Sequence, residues 1–449
     1  MALDAHLFSH WKALFRIRGF PFFFAAMFVS LFGTGMNFAG VTWYVLGATG
    51  STVKISFLVI LLTLPGLIVP PFGGVLIDRV DRRYVGLALD AARAVIVLAT
   101  AALAYSGRLA MWQLYLMVLL LGVGFSVYWS TTNALVQELV PSGHLVTANA
   151  TVLIAVQGGM TAAGALVGFI YERAGLPGIL AIDGSTYLLS AACLLLLRHG
   201  YHPPQKLHRA LLGPASPTIE APPEMSEPPL WTEVRDRSAK SEFLADIAEG
   251  LQYLRQQPRV MALGLTYACM MAGVISANIL VVALAKNLLD AGPRGYGYIE
   301  AGWAIGAVAG GVWASTIART QTYRVLVPAL AILAIGHAAF PYAPVLAAAV
   351  AMNALFGLCR ALGGILTQSS IMTTVPPHLM GRTQSAFSVI ATVLQILMSF
   401  VLGWVAQHVT ISAAFLLLGI IYGGAVLSAL WARTLSAAPR QAPEAPAAG

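Results

Sequence analysis

The sequence predicts an all-α integral membrane protein, and three observations carry that prediction. Of 449 residues, 58% are hydrophobic and 10% charged, where a soluble domain carries about a quarter charged residues. Apolar segments long enough to cross a bilayer as helices, about 20 residues each, recur twelve times. The lysines and arginines collect in alternate connections between those segments.

The segments run at 20–46, 53–77, 84–106, 111–137, 145–171, 176–197, 259–286, 296–318, 323–342, 344–374, 381–408 and 411–432. The first is long enough to span and no small-residue cleavage site follows it, so no cleavable signal peptide is expected. Placing both termini and the even-numbered connections in the cytoplasm puts 19 Lys and Arg inside and five outside, with Arg93 and Arg360 left in the membrane. By the positive-inside rule the termini are cytoplasmic, as in a multi-pass protein of the inner (plasma) membrane. The net charge of +8 is then a topological signal, and no nucleic-acid partner is expected. Cys193, Cys269 and Cys359 lie inside spans without CxxC or Cys/His ligand spacing, so neither metal nor cofactor is expected.

Composition breaks once, in a proline-rich segment of mixed charge between Arg198 and Pro258. This gives a cytoplasmic N-terminal segment (1–19), a six-helix bundle (20–197), a cytoplasmic linker (198–258), a second six-helix bundle (259–432) and a proline-alanine tail (433–449) expected to be disordered. The linker's last third, "FLADIAEGLQYLRQQP", spaces Phe243, Leu244, Ile247, Leu251 and Leu254 as an amphipathic helix lying along the membrane face. The bundles look like repeats. An offset of 235 residues carries Val140-Pro141 onto Val375-Pro376, Asn133 onto Gln368 and Gly168 onto Gly403, and an offset of 241 carries Asn37 onto Asn278. Such duplication is common in transporters that bind at the membrane midplane.

Between spans 2 and 3 lies "GGVLIDRVDRRYVG". Its Gly73, Gly74, Asp78, Arg79, Arg82 and Arg83 resemble the signature loop of the major facilitator superfamily, G-x-x-x-D-R-x-x-R-[RK]. The form "DRVDRR" is similar to the branch of drug:proton antiporters containing macrolide efflux proteins and the enterobactin exporter. Further resemblances are "YVLGATGS" after span 1, "LDAARAV" in span 3, "AIDGSTYLLSA" in span 6 and "GYGYIEAGWAIGAVAGG" in span 8. The resemblance implies two pseudo-symmetric six-helix bundles that rock about a central site lined by spans 1, 4, 7 and 10. It also implies that Asp78 meets the start of span 11, Gly381 and Arg382, as a cytoplasmic latch that a nearby arginine completes. A carboxylate there faces the free N–H groups and positive dipole end of a helix. Topological charge alone is the competing reading of the arginines.

Ionisable residues inside spans are functional candidates because their burial costs several kcal/mol unless they are paired or wet. Asp90 and Arg93, three apart on span 3, share a face and can neutralise each other in a structural or gating role. Arg360 lies near mid-membrane on span 10, where the branch pattern has no arginine; it either contacts an anionic substrate group or joins an ion pair. Glu300, one to two turns inside span 8, is a candidate for reversible protonation, with pairing to Lys286 as the alternative. Asp183 on span 6 is a second protonation candidate, or a packing and capping residue. Asn37, Asn133, Asn278 and Gln368 fall on the four cavity spans and, with Tyr128 and Trp129, would suit an amphipathic solute; hydrogen bonding between helices is the other reading.

Span 5 carries Gly159, Ala163, Gly164 and Gly168 at small-xxx-small spacing. Exporters of the superfamily often have Gly-Pro where Ala163-Gly164 stands, a departure that weakens an antiport assignment. That departure does not remove the expectation, which the resemblance implies, of proton-coupled efflux of a small amphipathic, drug-like compound by a monomer. A siderophore, an acidic metabolite or a flipped lysophospholipid are alternative cargoes. A membrane-embedded enzyme is disfavoured, because no HxxxxD, HExxH or phosphate-loop motif accompanies the histidines.

Overall fold

The computed structural model describes residues 12–17, 19–69, 81–141, 144–197, 239–314, 317, 321–376 and 379–437. Among them it is helical throughout, without strands. Spans 1 to 4 become α1 (Phe20–Thr49), α2 (Thr52–Thr63, continued by Pro65–Ile68), α3 (Arg82–Tyr105) and α4 (Met111–Leu139). A continuous run Leu145–Leu196 breaks at Gly175, φ 61°, into α5 (145–174) and α6 (176–196). Only glycine visits that region freely, and Pro177 restarts the helix within its first turn. The second half has α7 (Pro258–Ala283), α8 (Gly292–Ala314), α9 (Thr322–Ala339), α10 (Leu346–Thr374), α11 (Met380–His408) and α12 (Ile411–Ala437). The predicted twelve spans are thus each represented. Span 2 beyond Val69 lies outside the described residues.

The duplication read from sequence is geometrically close. The offset of 235 that relates Met111–Leu139 to Leu346–Thr374 also relates their caps: Val140 and Val375 are both extended, at φ/ψ −116/128° and −86/130°. Four residues further on, His144 and Leu379 both sit near φ −100° and ψ 0° at the next helix start, with values of −111/1° and −100/−6°. The described ends of the two connections therefore match, and the amides of His144 and Leu379 donate alike to the carbonyls of Pro141 and Pro376, at 2.9 and 3.0 Å.

Within each half, small residues let backbones approach. Gly33, Gly35 and Gly40 on α1 face Thr186, Ala163 and Ile179 of α5 and α6, while Gly302, Gly306 and Gly310 on α8 lie against the backbone of Val350, Ala354 and Leu358 on α10. Without a hydrophobic driving force between helices in lipid, such close approach is a main source of association. The linker helix, Ala239–Gln256, packs on α11 and α7. Its Gly250 lies on the carbonyl of Arg382, and Glu249 accepts a 2.5 Å hydrogen bond from the Arg382 guanidinium.

The two halves meet in a seam at the face opposite the linker. Across it Thr52 Oγ1 donates to the Gly403 carbonyl at 2.7 Å, Ser56 Oγ to the Ser399 carbonyl at 2.7 Å, and the Thr52 amide to Gln407 at 2.9 Å, joining α2 to α11. On the other flank Gly168 of α5 lies on the backbone of Pro293 and Arg294, Arg294 pairs with Glu172, and Trp43 stacks on Tyr296 at 5.5 Å. The small-residue stripe of span 5 thus serves two partners: Gly159 takes α1 of its own half, and Gly164 and Gly168 take α8 of the other. At the linker face, the ends of α4 and α10 present exposed polar residues, Asn133, Gln137, Ser369 and Thr373.

Candidate functional site

Asp90, Arg93, Asp183 and the polar groups around them form one cluster in the first half. Asp90 and Arg93 are ion-paired on α3, with 0% and 3% of their side chains exposed. The second carboxylate oxygen of Asp90 accepts from Ser190 of α6 at 2.6 Å. The guanidinium of Arg93 is sandwiched between Tyr128 of α4, at 4.4 Å, and Tyr187 of α6, at 4.6 Å. Tyr187 shares a 2.9 Å hydrogen bond with Thr34 of α1. One turn away along α1, Asn37 donates at 2.6 Å to Asp183 of α6, whose other oxygen is buried without a hydrogen-bond partner. Four helices therefore converge on two carboxylates and one arginine in the membrane. Taking a charge out of water demands such partners: an opposite charge, hydroxyl and amide donors, and aromatic faces.

Beside this cluster is a small cleft, part of it open to solvent, lined by α1, α2, α3, α4 and α6. Thr34, Asn37, Arg93 and Tyr187 supply its polar wall, and Phe38, Leu58, Leu62, Val118, Leu121 and Phe125 its apolar one. Few polar groups on an apolar lining is the usual composition of a small-molecule site.

The second half is built differently. Arg360, at the centre of α10, donates to the sulfur of Met271 at 3.8 Å, and its Nε is buried without a partner. Its guanidinium lies over Gly364, one turn on, where a side chain would displace it. His337 of α9 stacks on Phe356 at 4.3 Å and on Tyr422 at 4.9 Å, and contacts the Leu333 carbonyl at 2.7 Å, so it belongs to the packing. Asn278 donates to the Val274 carbonyl of its own helix at 3.3 Å. Gln368 is half-buried, two turns from Arg360 on the same face of α10.

Glu300 lies in the seam, with its Cβ against Gly164 of α5. It is eight residues into α8, about 12 Å of helical rise from the far face. Among the described residues it pairs with no lysine or arginine, and Lys286, the partner sequence offered, lies instead beside Gly47.

The other expected residues take the following places. Tyr128 and Asn37 belong first to the Arg93 and Asp183 cluster, though Asn37 also faces the cleft. Trp129 stacks on Phe125 at 6.3 Å, and Asn133 is exposed at the linker-side end of α4. Of the signature loop, Gly73, Gly74, Asp78 and Arg79 lie outside the described residues. Arg82 pairs with Glu138 of α4 at 2.6 Å. Arg83 binds the Leu194 and Leu195 carbonyls at the end of α6, at 3.0 and 3.3 Å, where a cation meets the negative helix end. Gly381 has open space around it. Missed at the sequence level was the joining of Asp90, Asp183 and Asn37 into one cluster; Ser190 and Tyr187, in the same span as Asp183 and at i+7 and i+4 from it, were the available signal.

A model of the Major Facilitator Superfamily matches residues 23–397. The chain belongs to that superfamily. It is a multi-pass membrane transporter of the facilitator type. The chain is similar to an uncharacterized MFS-type transporter, YfiS, of Bacillus subtilis (strain 168), with 26% identity over 426 residues covering 91% of this chain and 92% of that protein. Solved structures share the fold. An auto inhibited POT family peptide transporter matches at TM-score 0.67 and 13% identity, covering 95% of this chain and 98% of its own. The nucleoside transporter NupG matches at TM-score 0.64 and 14% identity, covering 93% and 99%. Among the described residues, no three His, Cys, Asp or Glu side chains gather as metal ligands.

Proposed function

We propose that this facilitator-superfamily transporter exports a small amphipathic molecule across the inner membrane by alternating access, with protons as the coupling ion. The observation that carries the reading is the seam. Hydrogen bonds, an ion pair and ring stacking join the halves at the far face, and a carboxylate, Glu300, sits within that joint, paired with no cation among the described residues. A group that is neutral in the closed seam and ionised when the seam opens to water links proton uptake to the motion of the bundles. Asp183 is the second proton carrier in this reading: it lies beside the cleft, held by Asn37, with one oxygen free for a proton.

With both termini in the cytoplasm, the far-face seam is the external gate and the structure faces inward. The signature loop, with Gly73, Gly74, Asp78 and Arg79 meeting Gly381 and Arg382, then latches the cytoplasmic side in the opposite state. Drug-like cargo is the reading drawn from the apolar cleft, and the seam is compatible with a monomer as the working unit.

Proteoliposomes with the far face inside test this directly. Acidifying the lumen is expected to drive accumulation of an amphipathic fluorescent dye, and Glu300→Gln or Asp183→Asn to remove the dependence on the gradient while leaving downhill dye exchange. Gradient-driven accumulation unchanged in both variants excludes these carboxylates from coupling. An anionic cargo is the second reading, favoured by Arg360.

A further inference from the structure

Arg360 is a half-buried cation, its Nε enclosed, for which no anion is supplied among the described residues. Among the described residues its polar contact is to the thioether of Met271 at 3.8 Å, and its Nε is buried without an acceptor. It stands at the middle of the 29-residue α10, about 21 Å of rise from either end, too deep for its head to reach the surface cheaply. A thioether is a weak acceptor and offsets little of this cost. The Nε of Arg93 is likewise buried without a partner, and what distinguishes Arg93 is its carboxylate and two aromatic faces.

The surroundings of Arg360 have the form of a binding wall. Arg360, Gly364 and Gln368 fall at i, i+4 and i+8 on α10, and Tyr267, Met271 and Asn278 at i, i+4 and i+11 on the facing α7. All are half-buried, unlike the closed packing of Met270 and Gly363 immediately beside them. Gly364 leaves the space that the guanidinium occupies, so the fork lies along α10, with its Nε without an acceptor among the described residues. A planar guanidinium presents parallel N–H donors that match the two oxygens of a carboxylate or phosphate.

We propose that Arg360 receives an oxyanion, a carboxylate or phosphate monoester, carried on an aromatic or aliphatic body that lies against Tyr267 and Met271. The proposal rests on the transport reading and names its substrate class as anionic amphiphiles. The apolar body supplies contact with the thioether and ring, while the charge is neutralised at one point, so the site selects the head group more strongly than the tail.

The test uses full-length protein in nanodiscs and four matched, water-soluble probes: 1-naphthoate, 1-naphthyl phosphate, 1-naphthol and 1-naphthylmethylammonium. Calorimetric titration is expected to show the two anions binding about tenfold or more tightly than the alcohol or the cation. Arg360→Gln is expected to abolish that preference, and Arg360→Lys to keep part of it, since a point charge lacks the fork. Displacement of naphthoate by lysophosphatidylglycerol assigns the oxyanion to a lipid head group; displacement by short aryl acids alone assigns it to a free solute. Equal affinity for naphthol and naphthoate overturns the proposal, as does an anion preference that survives in Arg360→Gln. The wild-type comparison stands even where a variant fails to fold. Flux in proteoliposomes separates the two levels: anionic probes crossing equally in wild type and Arg360→Gln leave transport intact and remove the oxyanion site, whereas anion binding at Arg360 with no probe crossing retains the site and removes transport.

Discussion

Each half of the molecule buries an arginine in the membrane, and the two are treated in opposite ways. Arg93 is paired with Asp90 and clamped between Tyr128 and Tyr187, so its charge is neutralised inside the first bundle. Arg360 is met by a sulfur atom, and its Nε is left without an acceptor among the described residues. The difference teaches that local partners decide how a charge in the membrane is compensated, and on the oxyanion proposal a ligand completes what the second bundle leaves open.

The largest expected effect is on the first arginine. Arg93→Ala leaves Asp90 buried without its cation, and breaking a buried pair in this way costs about 3–5 kcal/mol. Folded yield and thermal midpoint in detergent are expected to fall sharply, and a normally abundant, equally stable variant would break the assignment of this cluster to the scaffold. Arg360→Gln should do the reverse, leaving the midpoint unchanged or raising it, because it removes an uncompensated charge. A large fall there would mean that Arg360 holds the second bundle together.

The seam gives the next effect. Any side chain at Gly168 meets the backbone of Pro293 and Arg294, so Gly168→Leu is expected to hold α5 and α8 apart. Spin-label distances across the far face should lengthen in this variant, with little change in the spacing of α1 and α5. A distribution matching the wild type would show that the seam is not the gate. The smallest effect is expected from Thr34→Val, which removes the 2.9 Å hydrogen bond to Tyr187 at a cost of about 1 kcal/mol. It should lower the thermal midpoint slightly and leave the clamp on Arg93 in place, and a collapse as large as that of Arg93→Ala would show that the network is held through the hydroxyl.

Much of the architecture could be read from the sequence, for reasons that lie in local physics. A helix in lipid must satisfy its own backbone and be apolar along its length, so each span announces itself. The offset of 235 residues was visible in Val140-Pro141 and Val375-Pro376 because a turn between packed helices constrains both residue type and backbone. The pairing of Asp90 with Arg93 was likewise legible, being a matter of three residues on one helix.

The partners of the remaining polar residues were not legible in this way. That Asn37 holds Asp183, that Glu300 faces Gly164 across the seam rather than Lys286, and that Tyr128 covers Arg93 depend on the rotation of helices far apart in sequence. By itself the sequence determined the spans, their duplication and the charges placed within them, because hydrophobicity and helical spacing act over a few turns. Only the tertiary structure decided which of those charges are neutralised and which stay available, because an ion's cost in the membrane is set by whatever neighbouring helices bring within a few ångströms.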